Sequence, residues 1–286
     1  MVLMSNLKFK KNESFYIRDG WFEKAINTIN ENTDNIFSKN NGISILGIGS
    51  NMVKSLKYWL VASNIIESSI NKTVLSDLGN LILKYDQYLE SNFSWFLIHH
   101  NLCKNVTECP LFAELFNSDI KTFTKNDFIK LVQFDLNQMD IIVKKEYIED
   151  DTSVLLKSYF NEALYDNPED NYICPLSNLK LLEKRNDVYF KSKPLYTSLS
   201  YLLVYYCLIT TYNEKSFVIE DSLNDLNTPL NIFNLDKNMY LQYLDEMRKK
   251  GLITINKTAG LNTVYFEKRL SLEEVFVEYF GGDSNV

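Results

Sequence analysis

The sequence is short of chain breakers. It has 9 glycines and 5 prolines in 286 residues. A sandwich or barrel stitched together by many Gly/Pro turns is therefore not expected, and long helical periodicities are. The chain is equally short of residues that metal and redox chemistry use. Its 4 cysteines, Cys103, Cys109, Cys174 and Cys207, form no CxxC pair. The 2 histidines, His99 and His100, are adjacent. On a helix they point about 100° apart and cannot hold one metal as an i, i+4 pair would. A zinc site built from His99, Cys103 and Cys109 lacks a fourth ligand. No Gly-rich phosphate loop, nucleophile elbow or HExxH is present, so the chain is expected to be non-enzymatic and to carry no cofactor or metal. The N-terminus lacks the apolar core of a signal peptide, and no apolar run reaches membrane-spanning length. The longest, residues 199–209 (LSYLLVYYCLI), suits a buried helix. The expected location is cytoplasmic, with reduced thiols and no membrane partner.

What is present is apolar and aromatic: 45% hydrophobic residues, with 18 Tyr and 18 Phe. That is ample for a sizeable core. The fold class expected is mainly α with small β-wings: winged helix-turn-helix elements near both ends flank a helical middle. The boundaries expected are 1–92 for an N-terminal winged-helix domain, 93–212 for a helical middle and 213–286 for a C-terminal winged-helix-like domain. Near the N-terminus, Trp21, Phe22, Ala25, Ile26 and Ile29 share one helical face. In GIGSNMVKSLKYWL, Ser50 is placed to cap a helix whose apolar positions are Met52, Val53, Leu56, Trp59 and Leu60. Two β-prone runs around a turn near Asn71 follow, and then a helix from DLGNLILKYD. At the other end, Asp236 is placed to cap a helix with Tyr240, Tyr243, Leu244 and Met247 on one face. Gly251 stands where a left-handed C-cap belongs. LITIN and TVYFE then alternate as a hairpin.

The net charge is −7, unlike that of a protein that coats nucleic acid. The average hides an asymmetry. Residues 248–269 hold Arg248, Lys249, Lys250, Lys257, Lys268 and Arg269 against Glu267 alone, while 146–170 is acidic. Two faces are candidates for duplex DNA. The first is Ser50, Asn51, Lys54, Ser55 and Lys57, where helix amides and hydroxyls suit phosphates and an Asn can pair with adenine. The second is Lys249 and Lys250 with Lys257 on the hairpin. Each has a plainer reading: a protein-docking helix for the first, and cations complementing a helix C-terminus for the second. The carboxylates at 149–151 and 169–170 could hold magnesium but read as solvated loops. Cys174 reads as a small buried hydrophobe.

The segments FYIRDGWFEKAI, LGIGSNMVKSLKYWL, CPLSNLKLL and TAGLNTVYF, taken in order, resemble a bacterial family called domain of unknown function 4007. The resemblance runs from about Phe15 to Phe280. The family pattern has Lys where this chain has Ser50 and Arg where it has Lys57, a change that is mild in charge but not for bidentate contacts. The resemblance implies an accessory component encoded beside sulfurtransferases of the PAPS-reductase type, in DNA phosphorothioation and phage-defence clusters. The expected function is thus a duplex-DNA-binding accessory subunit. The alternative is an adaptor that docks such a sulfurtransferase or an ATPase without touching DNA. Nothing in the residues fixes an oligomeric state.

Overall fold

A computed structural model describes residues 6–31, 36–37, 41–68, 72–160, 173–258 and 261–281. The chain is mainly helical with small antiparallel sheets. It divides into two compact units, 1–192 and 193–286. Among the described residues no helix is long and apolar enough to cross a membrane.

The N-terminal unit begins with α1 (Trp21–Glu31), α2 (Asn41–Leu46) and α3 (Ser50–Ala62). All five apolar positions read on α1 are buried. Gly42 lets α2 close on α3, since a Cβ there would stand 2.6 Å from Val53 Cγ1 and 2.8 Å from the Ile36 carbonyl. Gly47 then turns the chain in the left-handed region, φ 64°. After α3, β1 (Ile66–Ser68) and β2 (Thr73–Leu75) pair antiparallel, with Glu67 opposite Val74. The turn expected near Asn71 lies outside the described residues. The helix α4 (Asp77–Tyr85) follows, capped by Ser76, whose Oγ accepts from Gly79 N.

The middle of the chain holds more than helices. After α5 (Asn92–Lys104) and α6 (Pro110–Asn117) comes β3 (Thr122–Thr124), then α7 (Lys125–Gln138) and α8 (Lys145–Tyr159). A 3-10 turn at Pro175–Leu179 leads into β4 (Leu182–Arg185) and β5 (Val188–Lys191). The sheet order is β3-β5-β4, with Phe123 opposite Tyr189. The middle expected to be helical holds a three-stranded sheet as well, in which a three-residue strand finds its partner more than sixty residues away. The carboxylates at 149–151 stand on α8 and not on a loop. Asp151 is buried and accepts from Lys10 N at 2.7 Å and from Asn12 Nδ2 at 2.8 Å, which fastens the N-terminal arm. Residues 169–170 lie outside the described residues.

The C-terminal unit repeats this strand order. It starts with α9 (Tyr201–Thr211), apolar on nearly every face and accordingly buried. Then come β6 (Ser216–Val218), α10 (Ile219–Ser222), α11 (Pro229–Ile232), α12 (Lys237–Lys249), β7 (Ile253–Thr258), β8 (Leu261–Phe266) and α13 (Leu272–Gly281). The sheet order is β6-β8-β7. In both units, then, a strand, a set of helices and a hairpin are joined so that the first strand pairs with the last. Asp236 caps α12 by accepting from Met239 N at 2.8 Å, and Gly251 closes it at φ 70°. Tyr240, Tyr243, Leu244 and Met247 are all buried. The expected β7–β8 hairpin is present, and its tip, residues 259–260, lies outside the described residues. Arg269 serves the fold: its guanidinium donates to the carbonyls of Ile209, Tyr212 and Glu214, the first two at the C-terminal end of α9. A cation there answers both the orphan carbonyls and the helix dipole.

Candidate nucleic-acid interface

The helix α3 has one face in the core and one outside. Val53, Leu56, Trp59 and Leu60 are buried, Trp59 to 1% exposure, and its Nε1 donates to the Phe15 carbonyl at 2.9 Å. That wall fixes the rotation of the helix. Outside it, Ser50, Asn51 and Lys54 are exposed. Lys54 Nζ donates to Asn51 Oδ1 at 3.3 Å and lies 3.9 Å from Glu13 Oε1. Glu13 was not legible as part of this face, because it lies 41 residues upstream and no local pattern connects the two.

Two of the expected roles are corrected. Ser50 is the first helical residue and not the cap. Gly49 takes the N-cap position with extended backbone (φ −63°, ψ 157°) and has no side chain to cap with. The amides of the first turn of α3 are thus left without a side-chain acceptor, and a helix N-terminus in that state favours an anion. Ser55 does not face outward: it is wholly buried, and its hydroxyl donates to the Phe15 carbonyl at 3.3 Å. It holds the arm against α3 and cannot reach a groove. Lys57 is half-buried, with its ammonium 5.9 Å from the centre of the Phe37 ring, at the margin of the face.

The second candidate face is electrostatically quieter than its sequence suggests. Arg248 and Lys249 both pair with Asp245, at 2.7 Å each. Lys250 stands 5.8 Å from the centre of the Tyr201 ring. Lys257 is exposed on β7, opposite Asn262 in the hairpin register.

The groups that could do chemistry are buried. His99 lies in the core, its Nδ1 2.5 Å from the Tyr159 hydroxyl and its ring edge-on to Phe116. Burial pushes His100 down to about 3. Burial also pushes the Cys109 and Cys174 thiols up to about 12, so neither is a thiolate at neutral pH. Cys174 is the small buried side chain expected of it. Among the described residues no group of three or more His, Cys, Asp or Glu side chains comes together as a metal set.

Comparison with known proteins adds the family and the fold. The family described as "Protein of unknown function (DUF4007)" matches residues 9–280. Among curated proteins none matches. Two solved structures are similar over 97% of this chain and 88% of theirs, each at 20% identity. One is described as magnesium ion-bound SspB, with a TM-score of 0.83, and the other as SspB, with a TM-score of 0.81. At that identity the likeness is one of fold.

Proposed function

The chain belongs to the DUF4007 family, and from that premise we propose that it is a non-enzymatic subunit that binds duplex DNA for a bacterial DNA sulfur-modification or phage-defence system. The observation that carries the reading is the outer face of α3: an uncapped helix N-terminus beside exposed Ser50, Asn51 and Lys54, followed at once by a hairpin. In this reading α1–α3 with β1–β2 is a winged helix. The helix α3 enters the groove, its amides and Lys54 meet phosphates, Asn51 meets a base edge, and β1–β2 is the wing. The two strand–helix–hairpin groupings, β3 to β5 and β6 to β8, are read as further modules of the same kind. The family's resemblance to components encoded beside sulfurtransferases supports the choice of system.

A second reading, an adaptor that docks a PAPS-reductase-like sulfurtransferase or an ATPase, is favoured for the C-terminal unit by one observation. Two of the cations at the end of α12, Arg248 and Lys249, share the one carboxylate of Asp245 on the same helix.

One of the similar solved structures carries magnesium. A magnesium ion often keeps its waters and takes only one or two carboxylates plus phosphate oxygens, so the binding test is run with and without it. The test is fluorescence anisotropy of the whole chain on a labelled duplex across a salt series. The expected result is an affinity that falls linearly in log–log form as salt rises. Absence of salt-dependent binding to every duplex, in both conditions, would overturn the proposal.

A further inference from the structure

The arm that precedes α1 does more than pack on α3: it brings a carboxylate to the outer face of that helix. Between Lys10 and Phe15 the chain turns sharply. Lys10, Glu13 and Ser14 lie in the left-handed region, with φ 59°, 50° and 64°. Residues with a Cβ are strained there and persist where their surroundings hold them. Here the turn is held on both sides. Before Glu13, Asp151 on α8 accepts from Lys10 N and from Asn12 Nδ2. Asn12, itself buried, closes the turn: its Oδ1 accepts from Ser14 N at 2.9 Å and its carbonyl from Phe15 N at 2.8 Å. After Glu13, the Phe15 carbonyl accepts from Trp59 Nε1 and Ser55 Oγ on α3. Glu13 is thus half-buried in a turn fastened to the same helix whose outer face it meets.

The placement has an electrostatic consequence. The Lys54 ammonium lies 3.9 Å from Glu13 Oε1 and donates to Asn51 Oδ1 at 3.3 Å. Lys54 and Asn51 are the side chains assigned above to a phosphate and a base edge. In the free chain both belong to one line of contacts that ends on Glu13. A phosphate that takes Lys54 has to displace this carboxylate and then lie beside it, well inside the Debye length of about 10 Å at 0.1 M salt. An exposed ion pair is weak, so the exchange is open to a phosphate but opposed. The anchored turn keeps the opposing charge in place.

We propose that Glu13 is an autoinhibitory group: its carboxylate holds Lys54 in the free chain, and a duplex has to displace it. The inference rests on the reading that α3 faces DNA and adds the regulation of that face. The competition falls on a phosphate contact, which every duplex offers, and so it lowers indiscriminate binding.

The experiment is fluorescence anisotropy of the whole chain on a labelled mixed-sequence duplex across a salt series, with and without magnesium. The proteins are wild type, Glu13→Gln, Lys54→Gln and the double variant, with circular dichroism as the fold control. Glu13→Gln is expected to bind about two- to fivefold tighter at low salt, the range of an exposed ion pair. The gain should fade as salt rises, because the competition is screened. It should vanish when Lys54→Gln is also present, since the two side chains act as a pair. The proposal is overturned if Glu13→Gln binds no tighter than wild type, or if its gain survives in the double variant. It is also overturned if Glu13→Gln binds more weakly in magnesium alone, which would make the carboxylate a cation ligand in the complex. Salt-dependent binding that Lys54→Gln weakens and Glu13→Gln leaves unchanged overturns this inference and leaves the α3 reading standing. Absence of duplex binding by wild type and by Glu13→Gln alike overturns both.

Discussion

The helices α3 and α12 have the same length, thirteen residues, and each is followed by an antiparallel hairpin, yet their outer faces differ in chemistry. The N-terminus of α3 is capped by a glycine with no side chain to offer. That of α12 is occupied by the Asp236 carboxylate, itself paired with Lys193. A phosphate could approach the first and would be repelled from the second. The outer residues of α3 are polar, with one exposed lysine. Those of α12 include the exposed Leu241, and two of its cations are held by Asp245. Counting lysines along the sequence ranks the C-terminal face as the more basic. Asp245 holds two of those cations, Arg248 and Lys249, and so narrows the difference.

The comparison rests on α3 having a fixed rotation, and the largest expected effect tests that. Trp59→Ala removes a fully buried ring and its hydrogen bond to Phe15, so it should cost about 3–5 kcal/mol in chemical denaturation. A loss below about 1 kcal/mol would mean that the inner face is not the core wall described, and the outer face would lose its definition.

The two units should also answer pH differently. Burial, then a hydrogen bond and charge repulsion from Asp135 on α7, raise Glu114 to about 7, against Lys191 on β5, which pulls it down. It is 7% exposed, in a small apolar pocket roofed by Leu7 and Phe9. A carboxyl whose folded pKa exceeds its unfolded value binds the extra proton only in the folded state. Its stabilisation is complete below about 4.5 and is lost as pH rises to about 7. Melting of the wild type should therefore lose on the order of 2 kcal/mol from this group across that window. Glu114→Gln should flatten the slope. An unchanged slope in the variant would show that Glu114 is not the group that loses its proton in that window. This effect belongs to the N-terminal unit alone.

A smaller effect probes the α12 side directly. Asp245→Ala should release Arg248 and Lys249 and raise non-specific duplex affinity about two- to threefold at low salt, with little change in stability, because surface pairs are worth roughly 0.2–1 kcal/mol. No rise would mean that the cations point away from any DNA path even when unpaired.

Much of this arrangement was legible in the sequence, and the parts that were not share a cause. The inward residues of α1, the capping role of Asp236, the left-handed Gly251 and the buried Trp59 are all set within one or two helical turns. Spacing and local chemistry suffice for them. The sheet β3-β5-β4 was missed because Thr122–Thr124 gains its identity from Val188–Lys191, far along the chain. Ser55 was misread because it stands between Lys54 and Lys57, and the arm carbonyl that it serves, Phe15, is 40 residues away. Glu13 beside Lys54 and Asn262 on Glu220 are likewise tertiary. The misplaced cap, Gly49 and not Ser50, is a one-residue boundary error of the kind that helix ends invite. It alters the chemistry, because a glycine cap leaves the amides open.

The measurement that tests the central claim most directly is a parallel salt titration of Lys54→Glu and Lys249→Glu against wild type on one labelled duplex. Both positions are exposed, so circular dichroism should report an unchanged fold for each. Lys54→Glu is predicted to weaken binding and to shallow the log–log salt slope by about one unit, the signature of one lost phosphate contact. Lys249→Glu is predicted to leave the slope as it is. Equal slopes for Lys54→Glu and wild type, with the loss appearing in Lys249→Glu, would contradict the assignment of the DNA-facing surface to α3.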